Sequence, residues 1–353
     1  MAEFLMPAEW ETHSRTWMCW PCRAELWAPV NPASGLAAAR RATAEVARAI
    51  ARFEPVVMAV NPDSCPSLSA NAAKAAGGHL SPSAASPHGE REPEFAIDIW
   101  SVDLDDSWAR DIGPTFVKDR GGDGAAIGWR FNAWGGKYAP FGHDAQFAAK
   151  AAARAGVPMH RASIVCEGGA IHSDGQGTVL TTEQCLLNPN RNPGLTREVA
   201  QQVLHYALGA RRVVWLGSGF SDDETDGHVD NIACFAAPGT VILGVPDSAA
   251  HPDHEPVRIA RPHLKAAALE VIDLLQPRNI RRDRQGRLLQ TSYVNFYLCN
   301  GGLILPAFGD PHDGRARDTL AQAFPDREIA VVPALDIVAG GGGIHCITQQ
   351  EPQ

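Results

Sequence analysis

The last part of the chain carries a cysteine in a setting suited to nucleophilic chemistry. In LDIVAGGGGIHCITQQEP, the glycines at 340–343 are followed by His345 and Cys346 in a short β-like run. Consecutive glycines let the backbone pass close to a ligand and adopt positive φ, and a cysteine thiolate is a strong nucleophile. A flexible glycine tail with a buried cysteine is the alternative. Because the ordered-looking IHCITQQ is unlike a linker, we interpret Cys346 as a candidate nucleophile.

A histidine and an aspartate stand two residues apart in TDGHVDNIACF. We expect this segment to be a strand, which would put His228 and Asp230 on the same face. A histidine that is oriented by a carboxylate, or that shares a substrate with one, forms a general acid–base pair. By itself such a histidine is more often a hydrogen-bonded structural residue, so this interpretation depends on its combination with Cys346.

Two further segments supply carboxylates. LDDSWARDIGPTFV contains Trp108 and Asp111 ahead of a Gly-Pro turn, and VCEGGAIHSDGQG contains Glu167 ahead of two glycines. In isolation, each acid is more typical of a solvated or helix-capping residue. Each of these two segments is therefore a weak signal by itself.

One structural plan recurs about five times along the chain. Each unit begins with two β-rich runs around a turn, continues with an amphipathic helical pattern, and ends in a short apolar strand. A fifth hairpin, near the termini, would pair TWMCWP with ITQQ or a neighbour. The other hairpins are IGPTFVKDRGGDGAAIGWRF, IHSDGQGTVLTTE, VDNIACFAAPGTVILGV and VNFYLCNGGLILPAF.

Units of this size cannot each bury their own apolar face, so they must pack on one another, most economically in a closed ring. We therefore predict an α/β fold in a single domain over residues 1–353, with the Gly-, Pro- and Ser-rich segment 77–94 as a surface insertion. The starts of the inner hairpins would share one end of the ring axis. The candidates at or beside those starts are Asp111, Glu167, His228 with Asp230, and Cys346.

Charge and composition restrict the partners. A net charge of −9 argues against nucleic acid or an anionic membrane and is compatible with a cationic substrate. The segment MAEFLMPAEWE has charges where a signal peptide needs an apolar stretch, and no run approaches the ~18 apolar residues of a membrane span. The eight cysteines are scattered, and the CxxC-spaced Cys19 and Cys22 have no second pair at zinc-finger spacing. We therefore expect a cytoplasmic protein with reduced thiols.

Eight ordered blocks along almost the whole chain resemble the agmatine deiminase family. That family has a five-bladed α/β propeller, shared with peptidyl-arginine deiminases, arginine deiminases and amidinotransferases, and the resemblance implies the same fold here. It also implies hydrolysis of agmatine to N-carbamoylputrescine and ammonia, a step of putrescine and polyamine biosynthesis, without a metal or organic cofactor. Propellers of this kind often form dimers. The blocks are MPAEWETHSRTWMCWP, DDSWARDIGPTFV, FNAWGGKYAPF, EGGAIHSDGQGT, TTEQCLLNPNRNP, DETDGHVDN, NFYLCNGGLILPAFGD and GGGGIHCITQQEP.

The resemblance implies a role for each candidate residue. Cys346 would be the nucleophile, and His228, with Glu167 beside it, would be the general acid and base. Asp111 and Asp230 would hold the guanidinium. Trp108 would lie against the substrate, and Glu224 would bind the distal amine.

Acidic and aromatic groups near the site favour agmatine over arginine. A terminal amine suits the acids of the DDSW and SDDETD segments, whereas an α-carboxylate would need a basic group aimed into the pocket. Arg110 flanks Asp111, but in an alternating strand it should point away.

Two positions depart from the family pattern, because Gly343 stands where the family usually has Asn and Ala170 where it has a polar residue. These departures leave open a deiminase or amidinotransferase for another guanidino compound. A non-catalytic binding protein on the same fold is another alternative. So is a metal-dependent hydrolase, although the chain lacks HxxxH or paired CxxC spacing. Its ligands would be His228, Asp230, Glu167 and Cys346.

Overall fold

Each repeat of the sequence forms one small β-sheet. A computed structural model describes residues 3–27, 35–62 and 95–353, and the insertion predicted at 77–94 lies outside these residues. The strands of the described residues are β1 (Phe4–Leu5), β2 (His13–Cys19), β3 (Val56–Val60), β4 (Ile97–Ser101), β5 (Thr115–Asp119), β6 (Gly124–Arg130), β7 (Met159–Val165), β8 (His172–Ser173), β9 (Thr178–Thr181), β10 (Arg212–Trp215), β11 (Ala233–Ala237), β12 (Thr240–Val245), β13 (Glu270–Leu275), β14 (Tyr297–Cys299), β15 (Gly302–Ala307), β16 (Glu328–Pro333) and β17 (Thr348–Pro352).

The strands form five sheets that share one topology. In each sheet an antiparallel hairpin is followed by a third strand that pairs parallel to the second, giving β17-β2-β3, β5-β6-β7, β8-β9-β10, β11-β12-β13 and β14-β15-β16. β1 and β4 add to the edges of two sheets. First strands of different sheets contact each other, β17 with β5 and β8 with β11, as expected at the centre of a ring. The predicted five-bladed α/β propeller is confirmed.

The blade β17-β2-β3 joins two segments that are far apart in sequence. Thr348 lies opposite Met18 and Gln350 opposite Thr16, which confirms the pairing of ITQQ with TWMCWP. The indole of Trp17 also donates a 2.8 Å hydrogen bond to the Glu351 carboxylate. Because Cys346 lies two residues before β17, this pairing fixes its position.

Helices of 11 to 16 residues connect the second strand of every blade to the third. Their apolar residues recur at helical spacing, so one face packs on the sheet. None of the described helices is long and apolar enough to cross a membrane. The helices are α1 (Ala24–Trp27), α2 (Gly35–Ile50), α3 (Ala109–Ile112), α4 (Ala133–Gly136), α5 (Asp144–Ala155), α6 (Glu183–Leu186), α7 (Arg197–Leu208), α8 (Val229–Ile232), α9 (His254–Ala266), α10 (Asp313–Ala323) and α11 (Leu335–Val338).

Single helical turns precede three of the inner hairpins. They are α3 before β5, the 3₁₀ turn Gly168–Ala170 before β8, and α8 before β11. The 3₁₀ turn contacts both α3 and α8. The site residues therefore approach one another on short turns.

The strand expected at His228–Asp230 is wrong. His228 is the residue before α8, and Asp230 lies within α8. Asp226 and Gly227 have positive φ, and the His228 N–H donates to the Thr225 hydroxyl at 3.1 Å instead of joining a strand. The two side chains thus approach the site from a turn.

The strand expected around Arg110 is also wrong, since this residue lies in α3. Its guanidinium is buried and donates to the side chain of Gln350 at 2.6 Å and to the carbonyl of His345 at 3.3 Å. Arg110 and Asp111 therefore have different hydrogen-bond partners.

The CxxC-spaced cysteines are free thiols. Cys19 is buried at the end of β2, and Cys22 is half-buried. Burial, with the neighbouring Asp106 carboxylate, raises the pKa of Cys22 to about 12. Neither thiol is therefore a reactive thiolate at neutral pH.

The single domain, the cytoplasmic location and the dimer stay predictions.

Candidate active site

Gly169 lies where three predicted site residues from two other blades converge. A Cβ atom built on Gly169 would be 2.5 Å from His228 Nδ1 and 3.0 Å from both Asp111 Oδ1 and Asp230 Oδ2. Any side chain at this position would collide with all three groups. Glycine here therefore keeps open the space that they surround.

Asp111 is held by two donors. The Trp134 indole donates to Oδ2 at 2.8 Å, and the Gly169 N–H donates to Oδ1 at 3.0 Å. Burial raises the pKa of Asp111 above its usual value; His228 opposes this shift, while Asp230 and Glu167 add to it. A cation entering this space would be attracted by Asp111 and would favour its ionised form.

His228 lies between two carboxylates and is fully buried. Its Nδ1 is 3.8 Å from Asp111 Oδ1, and its Nε2 is 3.6 Å from Glu167 Oε2. Neither ring nitrogen has a hydrogen-bond partner among the residues that the structure describes. Burial lowers the pKa of His228, but Asp111, Cys185 and Glu167 raise it well above the usual value. His228 is therefore an imidazolium at neutral pH.

Glu167 is anchored behind His228. Its Oε1 accepts a 2.8 Å hydrogen bond from Arg191 Nε, and both side chains are buried. Burial raises the pKa of Glu167, but the neighbouring His228 and the Arg191 guanidinium lower it below its usual value. Glu167 thus remains ionised and stabilises the charged form of His228.

The thiol of Cys346 faces Asp230 and Asn295. Its Sγ is 3.6 Å from Asp230 Oδ2 and 3.4 Å from Asn295 Nδ2. Burial raises the pKa of Cys346 well above the usual value, and the carboxylates of Asp230 and Asp111 raise it further. Without a cation beside it, the sulfur is therefore protonated.

Asp230 is oriented by His345. The Nδ1 atom of His345 is 2.8 Å from Oδ2, whereas Oδ1 is buried and has no partner in the described part of the chain. Burial raises the pKa of Asp230, but His345, His228 and Arg110 lower it below its usual value. Asp230 is thus an ionised carboxylate with one acceptor oxygen unused.

Trp108 and Glu224 connect this cluster to a surface cleft of about 810 Å³. Glu224, Gly340 and Gly341 line the cleft. A Cβ built on the next residue, Gly342, would lie 2.6 Å from the Trp108 ring and 3.1 Å from Cys346 Cβ. The glycine segment therefore runs from the cleft to Cys346.

The cleft has more acidic than basic side chains. Glu224 accepts 2.6 Å hydrogen bonds from the Tyr138 hydroxyl and from Arg287. Each basic residue that lines the cleft is already paired with a carboxylate. The pairs are Arg23 with Asp106 at 3.3 Å, Lys137 with Asp226 at 2.9 Å, and Arg287 with Asp283 at 2.8 Å.

Two clusters of possible metal ligands occur among the described residues, and neither contains Cys346. They are Glu167 with Cys185 and His228, and Glu9 with His172 and His345. In the first cluster the Arg191 guanidinium already neutralises Glu167, and in the second both nitrogens of His345 are bonded to carboxylates. The ligand set His228, Asp230, Glu167 and Cys346 does not form a cluster of this kind.

Comparison with known proteins decides the family. Residues 5–352 match the family described as Porphyromonas-type peptidyl-arginine deiminase. The chain belongs to this family. It is 41% identical to the agmatine deiminase of Stutzerimonas stutzeri, over 99% of this chain and 95% of the relative, and 39% identical to that of Pseudomonas aeruginosa with the same coverage. A solved structure of the Enterococcus faecalis agmatine deiminase is 34% identical, covers 99% of this chain and 96% of its own, and superposes with a TM-score of 0.85.

The structure brings Asp111, Glu167, His228, Asp230 and Cys346 together. Trp108 lies beside Gly342, close to Cys346, and Glu224 lies in the adjoining cleft. Side chains with no predicted role also contact the site. Asn295 forms a hydrogen bond with Cys346, and Trp134 forms one with Asp111. Arg191 forms a hydrogen bond with Glu167. A signal for Asn295 was present in the sequence, because it lies two residues before β14 and so at the start of the fifth inner hairpin.

One departure from the family pattern has a steric reason. A Cβ built on Gly343 would lie 2.3 Å from Asn295 Oδ1. Asn295 also accepts a 2.9 Å hydrogen bond from the His345 N–H. Glycine at 343 therefore lets Asn295 hold the backbone beside Cys346. Ala170 is fully buried in the core next to β8.

Proposed function

We propose that this chain hydrolyses agmatine to N-carbamoylputrescine and ammonia, with Cys346 as the nucleophile. The observation that carries the proposal is the convergence of two carboxylates and a charged histidine around Gly169, with a thiol 3.6 Å from one of the carboxylates. Two acids suit a planar cation, and a buried thiol beside it suits attack on the guanidinium carbon. The agmatine deiminases similar to the chain over nearly its whole length support this substrate.

The substrate activates the nucleophile in this mechanism. Asp111 and Asp230 bind the guanidinium nitrogens. The positive charge of the guanidinium then offsets the negative charge that these carboxylates place near the sulfur. The bound cation then lowers the pKa of Cys346 by Coulomb attraction in a water-poor site. The thiol releases its proton to solvent, and the thiolate adds to the guanidinium carbon.

His228 serves first as an acid and then as a base. As the imidazolium, it protonates the leaving nitrogen, the C–N bond breaks, and ammonia departs from an amidino-thioether on Cys346. The now neutral His228 takes a proton from water, which attacks the same carbon. The C–S bond breaks, the thiolate is released, and the product is a urea. Glu167 stabilises the charged form of His228 in both halves.

The paired charges of the cleft favour agmatine over arginine. The α-carboxylate of arginine would enter a cleft whose basic side chains are all engaged by acids, and its burial there would be uncompensated. We expect kcat/KM for agmatine to exceed that for free arginine and for peptidyl-arginine by at least about tenfold. A colorimetric ureido assay with parallel ammonia detection measures this.

The same assay distinguishes the alternatives. Equal turnover of free arginine would contradict the substrate and leave the mechanism intact. A transferred amidino group without free ammonia would indicate an amidinotransferase. Activity that is lost to a chelator and insensitive to iodoacetamide would contradict cysteine chemistry altogether.

Glu224 is proposed to bind the distal amine of agmatine. Replacement Glu224→Gln should raise KM for agmatine about tenfold and change kcat less, because the amine is remote from the reacting carbon. Butylguanidine, which lacks the amine, should show no such rise. Steady-state kinetics with both substrates test this.

Glu25→Gln is the matched control, because Glu25 is an exposed acid that lines the same cleft. It should leave both KM values unchanged. If Glu224→Gln raises KM equally for agmatine and butylguanidine, Glu224 shapes the cleft and does not recognise the amine.

A further inference from the structure

His345 bridges two buried carboxylates directly beneath the site. Its Nδ1 lies 2.8 Å from Asp230 Oδ2, and its Nε2 lies 2.9 Å from Glu9 Oε2. All three side chains are at least 95% buried. With an acceptor on each ring nitrogen, both nitrogens must donate, so the ring is the imidazolium.

The surroundings fix this ring in place. The backbone N–H of His345 donates to Asn295 Oδ1 at 2.9 Å, and its carbonyl accepts from Arg110 Nε at 3.3 Å. Glu9 is held separately, since its Oε1 accepts from the Leu298 N–H at 2.8 Å. Glu9 belongs to MPAEWETH, a segment with no predicted role. The bridge thus connects the start of the chain to the catalytic cluster.

We propose that His345 is a positioning residue, clamped by Glu9, that holds Asp230 ionised and oriented with Oδ1 free to accept from the guanidinium. This role rests on the proposed function. His345 does not touch the reacting atoms. It acts through Asp230, because a donor on Oδ2 leaves the other oxygen as the only unpaired acceptor of this carboxylate.

The charges around the bridge determine its response to pH. Burial and Arg110 lower the pKa of His345, but Glu9 and Asp230 raise it above the usual value. His345 in turn lowers the pKa of Asp230. The proposed reaction needs both Asp111 and Asp230 ionised, and the contribution of Asp230 to the acid limb is present above its pKa and lost as the pH falls through it. The titratable and charged groups that face the bridge are Arg110, Asp111, His172, His228, Cys234, Tyr297 and Cys346.

The test is the pH profile of kcat/KM for agmatine in His345→Asn. The asparagine amide can still donate to Asp230 but carries no charge and cannot reach Glu9. We expect kcat/KM at neutral pH to fall about 10- to 100-fold, the effect of one charge-assisted hydrogen bond. The acid limb should move to higher pH, because the pKa of Asp230 rises without the imidazolium. A purely structural role would lower activity without moving the limb.

His172→Gln is the matched control. His172 stacks on His345 with ring centroids 6.2 Å apart, and burial lowers its pKa to about 4, so it is neutral. Its replacement should leave the acid limb in place. If His345→Asn does not fold, Glu9→Gln gives the same readout, because loss of Glu9 weakens the charge on His345; its limb should move the same way by less.

The outcomes separate the two proposals. If the wild type is active and the acid limb of the pH profile is unshifted in His345→Asn, the role of His345 alone is overturned. The same holds for Glu9→Gln where that variant is needed. A wild type that releases no ammonia from agmatine overturns the proposed function and this role with it. If the acid limb shifts in His345→Asn or Glu9→Gln and stays in place in His172→Gln, both proposals are supported.

Discussion

Replacement of Cys346 by serine is expected to lower kcat for agmatine by about 10⁴-fold or more. The buried, acidic surroundings already raise the pKa of the thiol. A hydroxyl is a far weaker acid than a thiol, so the bound cation cannot ionise it. His228 is protonated at neutral pH and cannot take the proton from serine in its place. Ammonia release under single-turnover conditions measures the loss.

Cys22→Ser is the control, since Cys22 is a half-buried thiol whose sulfur contacts the Leu104 carbonyl. It should retain wild-type kcat. Mass spectrometry of the acid-quenched wild type should also find the amidino adduct on the peptide that contains Cys346. Activity of Cys346→Ser within about tenfold of wild type would remove the sulfur from the mechanism.

Replacement of Asp230 by asparagine should affect turnover and thiol reactivity in opposite directions. Loss of a buried carboxylate that binds the guanidinium should lower kcat/KM about 10²- to 10³-fold. The same carboxylate raises the pKa of Cys346, so without it more of the sulfur is ionised. Alkylation of Cys346 by iodoacetamide, in the absence of substrate, should therefore become faster.

The two measurements are made on one preparation, by the ureido assay and by peptide mapping of the alkylated cysteine. Asp273→Asn is the matched control, because Asp273 is exposed on β13 and pairs only with Arg261 in the described structure. It should change neither rate. Slower alkylation of Asp230→Asn would contradict the electrostatic account of the thiol.

The local patterns of the sequence are sufficient to predict the five blades. Hairpins with glycine turns, amphipathic helices and short apolar strands each have a strong local pattern, and together they predict five equivalent units. Even the pairing of β17 with β2 was predictable, because one hairpin was missing and two unpaired β-rich segments remained. The edge strands β1 and β4 had no such pattern, since two or five residues at a sheet edge need little periodicity.

The local geometry of the site was harder to predict. His228 and Asp230 were expected on a strand. A segment of three residues is too short to show whether its side chains alternate as in a strand or follow a turn that ends at Gly227. The structure was decided by Thr225 and Gly227, whose hydrogen bond and positive φ break the strand. Convergence of the side chains was nevertheless predicted, because it depends on their place in the blade.

The partners of these residues could not be predicted. The contacts from Glu9 to His345 and from Trp134 to Asp111 join segments that are distant in sequence, so no local pattern records them. Asn295 is different. The repeat predicts site residues at four hairpin starts, and Asn295 lies at the remaining one, so the same pattern points to it.

The blade that joins residues near 13–19 to residues near 348–352 links enzyme activity to completion of folding. The ring cannot close before these segments meet, and the entropy lost in such a long closure delays the meeting until most other contacts exist. Partly folded molecules then keep Cys346 away from Asp230, with its sulfur not yet in acidic surroundings. Any molecule in which β17 is not paired with β2 is consequently expected to lack catalytic competence.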